Sequence, residues 1–173
     1  MSKVKIAIVG CGTISQLNVP GYIEHPDCEI VALCDPVSER AESKARQWGI
    51  SPRICTDYEE IIADPEIDAV ELLTPTYLHA DQIIMGLQGG KHISCQKPLA
   101  TSMEEAERIS EVVAKSDLIF RVTENFLYYP PIVKAKELVM SDEIGEPSLV
   151  RIRTIRGGMA KARIPVETDT YVW

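Results

Sequence analysis

Apolar residues gather along this chain in short runs separated by charged stretches. Val4–Val9 is a β-branched run that breaks at Gly10. Similar runs cover Glu29–Cys34, closing at Asp35-Pro36, and Asp68–Leu73, closing at Thr74-Pro75. His92–Cys95 and Leu118–Thr123 complete the set. Runs without polar alternation suit strands buried on both faces, which is the pattern of a parallel sheet. Between them the pattern turns helical. Residues 37–47 are rich in Glu, Arg, Ala and Lys and stop at Gly49. Thr56 with Glu59, and Ser102 with Glu105, have the spacing of capping boxes. Tyr77–Gln88 ends at Gly89-Gly90, a helix stop, and Met103, Ala106, Ile109, Val112 and Val113 recur at near-helical spacing.

Strand then helix, repeated with short connections, predicts right-handed βαβ units and an α/β fold with a doubly wound parallel sheet. Periodicity alone leaves the strand order open. After Asn125 the character changes. Pro130-Pro131 punctuates, residues 132–140 read as helix, Gly145-Glu146-Pro147 as a turn, and Leu149–Ile155 alternates like a half-exposed strand of another sheet. A domain boundary is expected near 125, giving domains over 1–125 and 126–173.

Composition narrows the function classes. Eighteen Lys and Arg against 26 Asp and Glu give a net charge of -8, which argues against general nucleic-acid binding. No apolar run approaches the roughly 20 residues of a membrane span. Ile6–Val9 is too short for a signal-peptide core and runs into glycines instead of a cleavage site, so a cytoplasmic location is expected. Five scattered cysteines, without a CxxC pair or a His at zinc-ligand spacing, predict reduced buried thiols and no metal site.

The first strand leads into Gly10-Cys11-Gly12-Thr13-Ile14-Ser15, a GxGxxG fingerprint with Ser at its third small position. Gly10 permits the tight turn, Gly12 lets backbone approach a pyrophosphate, and Ser15 lets the next helix pack closely. The helix N-terminus offers N–H groups to the phosphates. Asp35 closes the second strand, where a carboxylate accepts from ribose hydroxyls and repels a 2′-phosphate, favouring NAD over NADP. Asp35-Pro36 also suits a plain helix start. Arg40, one turn on, is a candidate to lie over an adenine or simply a solvated helix residue. Ligands of doubly wound sheets sit at the carboxyl ends of strands, so Thr74 and Pro75 are expected near the cofactor. His79 reads either as a functional group or as a packed helix residue. Lys97, at a strand end before Pro98, is a candidate to hydrogen-bond a substrate hydroxyl and assist its proton transfer, or an ordinary surface lysine.

Taken in order, Pro75-Thr76-Tyr77-Leu78-His79, Gly90-Lys91-His92-Ile93 and Gln96-Lys97-Pro98-Leu99-Ala100 resemble the hallmark of the Gfo/Idh/MocA oxidoreductases, the glucose–fructose oxidoreductase and inositol dehydrogenase family. Asn125 and Ile144-Gly145-Glu146 match as well. The resemblance covers nearly the whole chain and corresponds to the family's N-terminal half. It implies a Rossmann domain followed by the truncated start of an α/β open-sheet substrate and oligomerisation domain. It further implies hydride transfer between a nicotinamide cofactor and a hydroxyl-bearing carbon of a sugar, cyclitol or related polyol. Lys97 is the implied catalytic residue, in a Lys97-Pro98 peptide that is a candidate for the cis form. Gly10, Cys11, Gly12, Thr13, Ile14, Asp35, Arg40, Thr74, Pro75, His79, Gln96 and Asn125 are the expected cofactor contacts. Relatives often associate through the second sheet, which makes a homo-oligomer the candidate assembly.

Two departures qualify the match. The family usually has Glu where this chain has Gln96, so Lys97 loses an anion that would stabilise its protonated form. The second domain's catalytic His also has no counterpart that can be assigned. Two alternatives therefore stay open beside the oxidoreductase: a non-catalytic nucleotide-binding or regulatory module, and NAD-assisted glycoside hydrolysis.

Overall fold

The computed structural model describes residues 2–151. It divides into two compact units, Met1–Thr123 and Glu124–Trp173, so the boundary falls two residues before the expected one. The first unit is a six-stranded parallel sheet in the order β3-β2-β1-β4-β5-β6. The strands are β1 (Val4–Val9), β2 (Cys28–Cys34), β3 (Arg53–Cys55), β4 (Ala69–Leu72), β5 (His92–Gln96) and β6 (Phe120–Thr123). Helices α1 (Ser15–Glu24), α2 (Ser38–Trp48), α3 (Tyr58–Ala63), α4 (His79–Gln88) and α5 (Met103–Val113) connect them. This is the Rossmann arrangement. Its order reverses between β1 and β4, and a crevice opens there at the carboxyl ends of the strands.

Side chains alternate across the sheet. Ala7, Val9, Cys34, Val70, Leu72, Ile93 and Cys95 meet Ile61, Ala80, Ile83, Leu87 and Ile109 from α3, α4 and α5. Ile6, Ile8 and Leu33 meet Val19 and Ala41 from α1 and α2 on the other face. The strands read as apolar runs because nearly every position faces one of these two layers. β1 and β2 pair in register except for an irregularity after Ile6, where Ile6 faces Ile30 and Ala7 faces Ala32.

Several elements differ from the sequence expectation. β3 has no counterpart in it: three residues beginning with Arg53 form no apolar run, and only pairing with Ala32–Cys34 makes them a strand. Arg53 lies over the exposed edge and pairs with Asp64 at 2.8 Å. The Thr56–Glu59 capping box does not form. Asp57 caps α3 instead, its carboxylate accepting from the Glu59 N–H at 2.9 Å. The Ser102 cap does form, accepting from the Glu105 N–H. Glu105 reaches back one residue beyond the box to the Thr101 N–H and hydroxyl, at 2.8 Å each. The expected helix over Tyr77–Gln88 splits into a 3-10 turn, Thr76–Leu78, and α4.

The second unit holds a 3-10 turn over Asn125–Tyr128 and helix α6 (Pro130–Met140). Leu149, Val150 and Arg151 carry no strand, and the rest of the Leu149–Ile155 expectation lies outside the described residues. Among the described residues no helix is long and apolar enough to cross a membrane.

Within the described strands one buried residue interrupts the apolar runs. Glu71, in the middle of β4, is 1% exposed. Its Oε2 accepts from the Tyr22 hydroxyl at 2.7 Å, while Oε1 meets no hydrogen-bond donor among the described residues. Burial pushes the Glu71 carboxyl up, against the hydrogen bonds that favour its anion. The folded chain therefore holds this proton to higher pH than the unfolded chain does. Stability should be full below the usual carboxylate value of 4.5 and fall as pH rises from there to the raised folded value. Glu71→Gln keeps an acceptor for Tyr22 and removes the titration. Urea unfolding from pH 4 upward should show the variant gaining on the wild type through that window, and a pH-independent difference would refute the assignment.

Candidate nucleotide-binding site

The turn after β1 is held from several sides. Gly10 donates its N–H to the Cys34 carbonyl at 2.8 Å, and Leu73 donates to Val9 at 2.8 Å, so the loop is pinned to β2 as β4 passes alongside. Gly10 has φ +95°, and a Cβ there would lie 2.7 Å from the Leu73 carbonyl oxygen. Only glycine meets both demands. Cys11 then donates its N–H to Asp35 Oδ2 at 2.9 Å. Ser15, fully buried, donates its hydroxyl back to the Gly12 carbonyl at 2.6 Å, a tie that its small size alone did not suggest.

Gly12 differs from Gly10. It is exposed, and a Cβ placed on it would meet nothing within 4 Å. Nothing in the protein demands glycine there, so the bare backbone is a cradle that a side chain would fill. Among the described residues the N–H groups of Gly12, Thr13 and Ile14 find no acceptor, and α1 begins without a side-chain cap. Unpaired donors at the positive end of a helix, beside a residue with open space at its Cβ, suit a phosphate.

Asp35 is 4% exposed and serves two backbone donors, Cys11 N–H through Oδ2 and Val37 N–H through Oδ1 at 3.0 Å. Both readings of this residue are thus present in one carboxylate: it caps the turn into α2 and it anchors the glycine loop. Arg40 Nη1 lies 3.8 Å from Oδ1, with its side chain largely exposed. Cys11 is buried, and burial pushes its thiol up to about 12, as it does those of Cys34 and Cys95. Such thiols stay protonated and unreactive at neutral pH.

At the β4 end, the Thr74 hydroxyl donates to Gln82 Oε1 at 2.5 Å, and Pro75 is exposed. His79 is 1% exposed, with Nδ1 2.9 Å from the Pro98 carbonyl and Nε2 2.9 Å from the Thr74 carbonyl. At the β5 end, Gln96 Oε1 accepts from the Lys97 N–H at 2.8 Å, and Lys97 is exposed in a cis peptide with Pro98. The fold thus gathers Gly10–Ile14, Asp35, Thr74, Pro75, Gln96 and Lys97 at the carboxyl ends of β1, β2, β4 and β5. Asn125 belongs to the second unit. The Gly-Lys-His stretch is structural. Buried Lys91 donates to the Asp64 and Ile67 carbonyls, and His92 accepts from the Ile119 N–H.

The family profile of the Gfo/Idh/MocA oxidoreductases, with an NAD-binding Rossmann fold, matches residues 4–124. The chain belongs to that family. It is 35% identical over 146 residues to scyllo-inositol 2-dehydrogenase (NAD(+)) of Bacillus subtilis, spanning 84% of this chain and 42% of that protein. The fold superposes on scyllo-inositol dehydrogenase from Lactobacillus casei, solved with NAD(H) and scyllo-inositol, with a TM-score of 0.78 at 24% identity. That match covers 84% of this chain and 43% of the other. It also superposes on the 3-ketoreductase KijD10 of Actinomadura kijaniata, solved with NADP, with a TM-score of 0.74 at 26% identity over 84% and 44% of the two chains. The chain therefore spans less than half the length of the relatives it matches.

The two loop glycines give a paired test within this Gfo/Idh/MocA domain. Gly10→Ala forces a positive φ and a clash with Leu73, and should cost on the order of 2 kcal/mol or more of stability. Gly12→Ala should leave unfolding within about 0.5 kcal/mol of wild type. The same variant should weaken NAD binding at least about tenfold, because its methyl occupies the phosphate approach. Chemical denaturation and NAD titration of both variants check this; an unchanged NAD affinity in Gly12→Ala would remove the cradle from the site.

Proposed function

We propose that this chain carries the cofactor-binding part of an NAD-dependent oxidoreductase acting on a hydroxyl-bearing carbon of a sugar, cyclitol or related polyol. The observation that supports it most is the open cradle at Gly12, with free N–H donors around it, placed where β1 and β4 diverge. Gly10 to Ile14 hold the pyrophosphate, and Asp35 takes the adenine ribose with Arg40 beside it. Thr74, Pro75 and Gln96 lie toward the nicotinamide end. Bound NAD supplies the hydride acceptor. Lys97 would contact the substrate hydroxyl and take up its proton as the alcohol is oxidised to the ketone. With Gln96 in place of an acid, the residue before Lys97 brings an amide and no charge. The names of the relatives, inositol dehydrogenases among them, support a polyol substrate. Free cysteines and the absence of a membrane-crossing helix among the described residues fit a cytoplasmic location. A homo-oligomer formed through the second domain belongs to the same reading.

Asp35 gives the cofactor preference its test. Its carboxylate repels a 2′-phosphate, so NAD should bind at least about tenfold more tightly than NADP, and Asp35→Ser should narrow that ratio. The serine variant should also lose stability, since the Cys11 N–H loses its charged acceptor. Turnover is tested by scanning polyols and sugars with NAD and following absorbance of the reduced cofactor. Lys97→Ala should reduce kcat by roughly 100-fold or more with NAD affinity within about twofold of wild type. A wild-type chain that binds neither dinucleotide contradicts the proposal; one that binds NAD and oxidises no polyol reduces it to a binding module.

A further inference from the structure

The ladder between β4 and β5 ends at the pair Leu72 and Cys95. Beyond it the chain leaves the sheet in two loops, one through Thr74 and Pro75, the other through Lys97 and Pro98. His79 stands between them. Its ring is buried, and its two nitrogens face one carbonyl from each loop at 2.9 Å. A carbonyl oxygen only accepts, so each contact is a hydrogen bond when the facing nitrogen carries a proton. The neutral ring supplies one such arm and the imidazolium supplies both. With both nitrogens turned to backbone, the ring acts on any ligand through the two loops and not by direct contact.

We infer that His79 is a positioning residue: a two-armed tether that sets the separation between the Thr74–Pro75 loop and the Lys97–Pro98 turn. This rests on the proposed role of Lys97, because the separation matters to chemistry only if the lysine works on a substrate held beside the cofactor. A misplacement of about 1 Å at a reacting group is enough to cost two orders of magnitude in rate. Neither carbonyl belongs to a residue whose identity reveals the link, and the tether joins residues 19 and 5 positions away.

Side-chain amides can replace the arms singly. Asparagine at 79 places its nitrogen near the position of Nδ1 and can serve Pro98; glutamine places its nitrogen near that of Nε2 and can serve Thr74. Hydrogen exchange of the full 173-residue chain, read by mass spectrometry, reports each loop separately. In His79→Ala, amides in both segments 74–78 and 97–101 should exchange at least about tenfold faster, with those of β1 and β2 unchanged. His79→Asn should restore slow exchange in 97–101 alone, and His79→Gln in 74–78 alone. If the alanine variant fails to fold, the asparagine and glutamine pair carries the comparison. On a polyol that the wild type oxidises, His79→Gln, which frees the lysine side, should lower kcat about tenfold with NAD affinity within about twofold. Faster exchange spread evenly over the domain, or the same pattern in asparagine and glutamine variants, would overturn the tether and leave a packing role. A wild type that binds no NAD would defeat the proposed function, while the exchange pattern would still decide whether the two loops are tied through His79.

Discussion

At Gly10 the backbone leaving β1 passes so close to the Leu73 carbonyl that a single Cβ would lie 2.7 Å from its oxygen. The rest of the site follows from that approach. The β1 and β4 ends stay in contact while their crossovers part to opposite faces of the sheet, α1 to one and α4 to the other, which is where doubly wound sheets bind ligands. The turn then aims the N–H groups of Gly12, Thr13 and Ile14 outward and starts α1 behind them. Asp35, at the end of β2, holds the loop from the other side through the Cys11 N–H. One close contact and one charge-assisted hydrogen bond thus hold the phosphate cradle open before any ligand arrives.

The electrostatics follow the same economy. Asp35 sits in a nearly buried place where two backbone N–H groups serve it and Arg40 stands close by. Glu71 has weaker company. Tyr22 donates its hydroxyl to Oε2, and burial favours the neutral form against the pull of Ser94, Tyr22 and Arg121. The buried cysteines behave as small apolar residues with raised thiols. The chemistry proposed for the site is thereby concentrated in few groups, of which Lys97 is exposed at a strand end.

Much of this was legible in the residues. Five of six strands appear as apolar runs, because a doubly covered parallel strand leaves little room for polar positions. The glycine loop and Asp35 are readable because backbone approach and ribose recognition demand particular residue types at particular places. What escaped reading depends on contacts between distant segments. β3 is a strand only through its pairing with β2. Asp57 caps α3 in place of Thr56, one position on, its carboxylate accepting from the Glu59 N–H. Lys91, within a motif that stands out in sequence, proves to be a tie to two carbonyls. His79 was open between two readings because its partners are backbone atoms, which leave no trace in side-chain identity.

The central claim is that a nicotinamide dinucleotide binds in the crevice at the carboxyl ends of β1, β2 and β4. At 19.2 kDa the chain suits amide-resolved NMR, and a titration of the labelled protein with NAD tests the claim most directly. The account predicts saturable shifts concentrated at Gly10 to Ile14, Asp35 and Thr74, with the α3 and α5 amides unmoved. Saturable shifts centred elsewhere, or none at millimolar NAD, would contradict it.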